Sequence, residues 1–134
     1  MVKIYIAGPL CEKENRDFLE QIDKICKDLG FETFLPHRDC GLYEGDENKI
    51  NEISDRDLEE IKKCEIMIGV LNGIYIGAGT AWEMGYAQAI GKKVIGLKTD
   101  RKVKDSIGEI SVIIAGKVNI IESIEELKIE LGKL

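Results

Sequence analysis

Short, continuously aliphatic runs alternate with longer segments of helical periodicity along this chain, and that alternation leaves few architectures open. The runs fall at residues 2–7, 31–35, 65–71, 93–97 and 118–121. They are apolar at successive positions rather than at every second one, the pattern of strands buried on both faces of a parallel sheet. Between the first two, Phe18, Leu19, Ile22, Ile25, Cys26 and Leu29 recur at helical spacing, with Asn15 a candidate N-cap and Gly30 a C-terminal glycine. Ile50, Ile53, Leu58 and Ile61 mark a second helix, residues 79–90 followed by Gly91 a third, and Ser123-Ile-Glu-Glu126 is a capping box opening a last one. Pro36 ends the second strand, and a polar loop is expected over residues 37–48. A glycine-rich connection covers 73–79, and a short apolar segment at 110–115 precedes the fifth strand. The expected fold is therefore α/β, a flavodoxin-like three-layer sandwich around a five-stranded parallel sheet of order 2-1-3-4-5, formed by a single domain over residues 1–134. In that order ligands bind beside the loops that follow the first and third strands, residues 8–14 and 72–79.

Composition narrows the function classes. A net charge of −6 with no basic stripe repels phosphate backbones, so polymeric nucleic acid is not an expected partner. No apolar run approaches the ~20 residues of a membrane span and the chain opens directly on a strand pattern, so a cytoplasmic protein without membrane contact is expected. Lys, Glu and Ile dominate their classes, a bias met in thermophile proteins. Cys11, Cys26, Cys40 and Cys64 form no Cys-x-x-Cys pair and read as reduced thiols. His37 and Cys40 supply only two ligands where a zinc site needs four, so neither a metal nor a cofactor is expected.

Two carboxylates sit where carboxylates are costly. Glu83 is the lone charge of the third helix, which reads as buried nearly all round, and it shares a face with Ala87 and Ile90. Asp57 follows Ile50 by seven residues and Ile53 by four, and precedes Ile61 by four, in the middle of the second helix's apolar stripe. Each has a structural alternative, a solvated acid at the helix's positive end for Glu83 and a loop-capping acid for Asp57. Two such acids flanking one crevice favour a site. Gly77-Ala-Gly79-Thr80 then leads into the third helix, where backbone N–H groups at a positive helix end can receive an anion; glycines serving only a turn are the alternative. The stretch is neither a dinucleotide fingerprint nor a Walker loop.

At these residues the chain resembles the nucleoside 2-deoxyribosyltransferase family. Ile4-Tyr-Ile-Ala-Gly-Pro-Leu10, Leu71-Asn-Gly73, Gly79-Thr-Ala-Trp-Glu-Met-Gly-Tyr-Ala87 and Gly91-Lys-Lys-Val-Ile-Gly96 carry the likeness, with Asp57 at the expected distance upstream. The resemblance implies an enzyme that breaks the N-glycosidic bond of a deoxynucleoside or deoxynucleotide. Glu83 would attack the anomeric carbon, Asp57 would bind and protonate the leaving base, and Tyr5, Gly8 and Pro9 would line the pocket. It also implies a homo-oligomer in which Ser111 reaches the neighbouring subunit's site. A positioned carboxylate suits this chemistry, because it stabilises an oxocarbenium-like state and captures it as a glycosyl-enzyme. The positive helix end is expected to keep Glu83 ionised.

Four positions depart from the family pattern. Transferases of free nucleosides carry an acid six residues before the nucleophile and an Asn near position 111, where this chain has Gly77 and Ser111. Loss of a carboxylate and gain of a hydroxyl fit the 2′-deoxynucleoside 5′-monophosphate N-glycosidase branch, with hydrolysis to base and deoxyribose 5-phosphate. Pro9, however, removes a phosphate donor that this branch tends to carry, and Asn72 stands where many members have Asp. The alternatives are transfer of deoxyribose between bases and a non-catalytic nucleotide-binding module. A receiver domain is disfavoured by Asn72 and Gly8-Pro9, and a flavodoxin by the lack of a hydroxyl-rich loop after the first strand.

Overall fold

The computed structural model describes residues 1–134 as one α/β layer structure. A parallel sheet of β1 (Lys3–Ala7), β2 (Glu32–Phe34), β3 (Ile66–Val70), β4 (Lys93–Leu97) and β5 (Asn119–Ile121) has the order β2-β1-β3-β4-β5, as expected. Helices α1 (Lys13–Asp28), α2 (Pro36–Asp39), α3 (Lys49–Lys63), α4 (Ala78–Ala89), α5 (Ile107–Ile110), α6 (Val112–Lys117) and α7 (Ile124–Gly132) make the crossovers and cover both faces.

The two-residue period of a strand divides β1 between two cores. Ile4 and Ile6 point into a layer with Leu19, Ile22 and Cys26 of α1 and Leu127 and Leu131 of α7. Tyr5 and Ala7 point the other way, into a layer with Ile61 of α3 and Met84 and Ala87 of α4. Register places Tyr5 opposite Met67 and Ala7 opposite Gly69, so the acids of α3 and α4 face the same side of the sheet as Tyr5. No helix is long and apolar enough to cross a membrane.

Four local expectations need correction. Asn15 does not cap α1, which begins at Lys13 after Glu12 without a capping side chain. Arg16 in its first turn instead donates to the carbonyls of Leu10 (2.6 Å) and Cys11 (3.1 Å) and so holds the loop after β1. The polar stretch after Pro36 opens with one helical turn, since a proline's fixed φ suits the first helical position as well as a strand's end. Asp39 closes that turn by accepting the Leu35 N–H (2.9 Å). The apolar segment before β5 is two short helices joined at Ser111, whose φ of +89° is unusual for a residue with a side chain. Finally, α4 is not buried all round. Thr80, Met84 and Ala87 face the sheet, while Trp82 is 61% exposed and stacks on Tyr86 at 5.4 Å. The capping box holds in part: Ser123 Oγ accepts from Glu126 N–H (3.1 Å), and the Glu126 carboxylate reaches Glu122 N–H (3.1 Å).

Candidate active site

Glu83 is positioned by a close approach of helix to sheet. Gly69 in β3 has no side chain, and a Cβ there would lie 2.3 Å from Met84 Sδ, so α4 packs directly on the strand. That seats Glu83, next along the helix, over the carboxyl end of β1. Tyr5, wholly buried in β1, donates its hydroxyl to Glu83 Oε2. The Tyr5 ring is fixed by stacking on Phe34 with centroids 5.3 Å apart, and the Arg56 guanidinium covers Phe34 at 5.7 Å. Asp57 approaches from α3, half-buried, with Oδ1 shielded from water and without a hydrogen-bond partner. Cys40, whose Sγ rests 3.7 Å from the Ile53 carbonyl, lies beside it.

Burial dominates the electrostatics. It lifts Glu83 to about 7, with the Tyr5 hydroxyl pulling down and the charge of Asp57 pushing up. It lifts Asp57 to about 6 against the pull of Cys40 and Arg56. Tyr5 is raised as well, first by burial and then by the two acids, so its hydroxyl stays protonated and donates. The expectation that the helix end keeps Glu83 ionised is therefore corrected. Glu83 is the sixth residue of α4, beyond the first turn where the dipole acts, and desolvation prevails. Two neighbouring carboxyls titrating near neutrality in one crevice can divide nucleophile and acid between them.

Both acids open on a cleft of about 700 Å³ formed by the loop after β1, by α3 and by the start of α4. Gly8, Pro9, Gly77 and Gly79 line it with Asp57 and Glu83, and Tyr5 lies beneath through its bond to Glu83. Gly8 also answers to packing, because a Cβ there would meet Leu19 at 2.6 Å. Gly77 and Gly79 do not. Neither has a positive φ, and a Cβ on either would enter open space, so no turn demands these glycines and they leave room at the mouth. Gly77 is the N-cap of α4 and no side chain caps the helix, which leaves its first-turn N–H groups at the cleft. Of the charged groups on the wall, Asp55, Asp57 and Glu83 are acidic and none is Lys or Arg.

Two expected site residues lie elsewhere. Asn72 spends its amide on Thr99, donating to Oγ1 and accepting the Thr99 N–H, each at 2.9 Å. Ser111 lines a separate groove of about 440 Å³ with Tyr75, Met84, Ile110, Ile113 and Ile114. The sequence reading missed Ser54, Asp55 and Trp82 on the cleft wall and Cys40 beside Asp57. The first three stand within three residues of a singled-out acid and were within reach of a helical projection; Cys40 comes from a distant loop and had no local signal. His37 turns away from Cys40 toward Glu20, with Nε2 3.6 Å from Oε1.

Residues 4–123 match the profile of the family described as Nucleoside 2-deoxyribosyltransferase. Among solved structures, the chain resembles a 2-deoxyribosyltransferase from Bacillus psychrosaccharolyticus, with a TM-score of 0.80 and 25% identity over 95% of this chain and 90% of that one. A conserved protein from Enterococcus faecalis V583 superposes with a TM-score of 0.77 and 25% identity over 99% and 98% of the two chains. The CMP N-glycosidase BcmB of Clostridium botulinum shares the fold, with a TM-score of 0.65 and 20% identity over 97% and 98%. No curated protein matches the chain in sequence.

Proposed function

The chain belongs to the nucleoside 2-deoxyribosyltransferase family, and from that premise we propose that it cleaves the N-glycosidic bond of a 2′-deoxynucleoside 5′-monophosphate by hydrolysis through a glycosyl-Glu83 intermediate. Membership of a family of enzymes sets aside the non-catalytic module. The observation that carries the reading is the convergence of Glu83, Tyr5 and Asp57 on one cleft. Tyr5 engages Glu83 Oε2 and leaves the other carboxylate oxygen for attack. That oxygen bonds C1′ as the C1′–N bond breaks, and the departing base nitrogen takes the proton of Asp57. Water then attacks C1′, returns a proton to Asp57 and releases Glu83. Burial of Glu83 suits a carboxylate whose charge is neutralised as the ester forms.

The 5′-phosphate is assigned to the start of α4, where Gly77 leaves space and the N–H groups are free of capping side chains. One feature favours a second reading, transfer of deoxyribose between bases on free nucleosides: the wall of the cleft carries three acids and no cation to hold a phosphate. The exposed apolar residues Ile74, Tyr75, Trp82, Val112 and Ile113 support assembly into a homo-oligomer, in which Ser111 would reach a neighbouring cleft and supply a hydroxyl there. A panel of deoxynucleosides and their 5′-monophosphates, each with and without an acceptor base, tests the assignment. The expected result is release of base and deoxyribose 5-phosphate without an acceptor; turnover of free nucleosides only when an acceptor base is present would establish the transferase.

A further inference from the structure

Lysine is a rare occupant of a protein interior, yet Lys98, the first residue past β4, is 1% exposed. Its Nζ donates to the carbonyls of Leu71 (3.1 Å) and Gly73 (3.2 Å) and to the Asp100 carboxylate (3.0 Å). Asp100 in turn accepts the Gly73 N–H through its other oxygen (2.8 Å). With the paired bonds between Asn72 and Thr99, each of residues 71, 72 and 73 is joined to the segment 98–100. Burial pushes the Asp100 carboxyl up, but the Gly73 amide and the Lys98 ammonium hold it below the usual range, so the carboxylate that closes the latch stays ionised.

What this latch holds is the connection from β3 to α4. Gly73 turns the chain with a φ of +108°, and the next residues run outward, Ile74 67% and Tyr75 76% exposed. Gly77 and Gly79 have no side chains with which to pack. The connection is thus fixed at its two ends, by Lys98 and by the body of α4, and between them Ile76 alone packs against the core. Glu83 is secured separately, through Tyr5 and through the packing of Met84 on Gly69.

We propose that Lys98 is a positioning residue: by pinning residues 71–73 it sets where Gly77 and the first-turn amides of α4 face the sugar end of the substrate, an assignment that rests on the function proposed above. It follows that loosening the latch weakens substrate binding more than it slows the chemical step. The test is Lys98→Met, which keeps the length of the chain and removes its charge and its donors. Hydrogen exchange of the Gly73 and Ala81 amides, which donate to Asp100 and to the Gly77 carbonyl at the two ends of the connection, should quicken by about tenfold or more relative to those of β1, the scale of one lost hydrogen bond. On the substrate that the wild type turns over, KM should rise by about tenfold with kcat changed less than about threefold. If Lys98→Met does not fold, Asn72→Ala, which cuts the same latch at an exposed point, should give the same split on a smaller scale. Unchanged exchange at Gly73 and Ala81, or a fall in kcat with KM intact, would overturn the positioning role. The exchange measurement makes no use of turnover, so its failure is distinguishable from failure of the proposed reaction.

Discussion

Asp57 shows how a side chain can work against the fold that holds it. Its carboxyl titrates near 6 because burial penalises the charge, so the folded state binds a proton more readily than the unfolded chain, where the ordinary value is 3.8. Stability is therefore lost as pH rises through that window, and Asp57→Asn should raise Tm at pH 8 and leave it nearly unchanged at pH 4. Activity should move the other way, falling by about 10²–10⁴-fold, the range for a lost acid–base group. The pH profile separates the two acids. Turnover needs Glu83 as the carboxylate and Asp57 as the acid, the minority arrangement of a pair in which Glu83 titrates higher, so kcat/KM falls below about pH 6 and above about pH 7. A bell peaking between these values is expected, and Asp57→Asn should lose its alkaline limb. A wild-type profile flat from pH 5 to 8 would contradict these roles. At this scale the sequence revealed that both acids were misplaced by ordinary standards, since composition and helical phase are local. Their titration was not legible, because it depends first on burial and then on Tyr5 and Cys40, which only the fold brings near.

Among the elements, α4 carries most of the functional consequence. Its single charge was visible in the sequence and pointed to burial, but Trp82 on the outer face is exposed and Tyr86 beside it half-buried. Apolar composition reports avoidance of water and does not say whether the shield is the same chain or another copy. The N-terminal end of α4 makes a sharper prediction. Gly77 has a φ of −64° and open space beside it, and Asp is a better N-cap than Gly, so Gly77→Asp should fold with Tm unchanged or raised. A carboxylate facing a phosphate a few ångströms away costs on the order of 4 kcal/mol at an effective dielectric of 20. The variant should therefore lose kcat/KM on the monophosphate by about 10²-fold or more while retaining the free nucleoside. Equal effects on both substrates would remove the phosphate from the start of α4. Where boundaries were misread, at Asn15 and after Pro36, one residue had two permitted uses and long-range contacts chose between them.

For the whole molecule, sheet order was legible because continuous apolar strands and right-handed crossovers leave few topologies. The exposed apolar face around Ser111 was not, since the pattern of the short segment at 110–115 does not say that the fold leaves Val112 and Ile113 at the surface, 75% and 70% exposed. Covering that face with a second copy predicts that sedimentation finds an oligomer for the wild type and a monomer for Ile113→Glu, with KM raised as Ser111 is withdrawn from the neighbouring cleft. A wild type that sediments as a monomer at micromolar concentration would leave Ser111 without a role in the site. The account as a whole stands on covalent capture of the sugar by Glu83. Its most direct test is mass spectrometry of the protein quenched during turnover, with Glu83→Ala in parallel. The expected result is a deoxyribosyl adduct, with or without its phosphate, on the peptide containing Glu83, and no turnover above background in the variant. An adduct on another residue, or a variant retaining more than a small fraction of the wild-type rate, would contradict it.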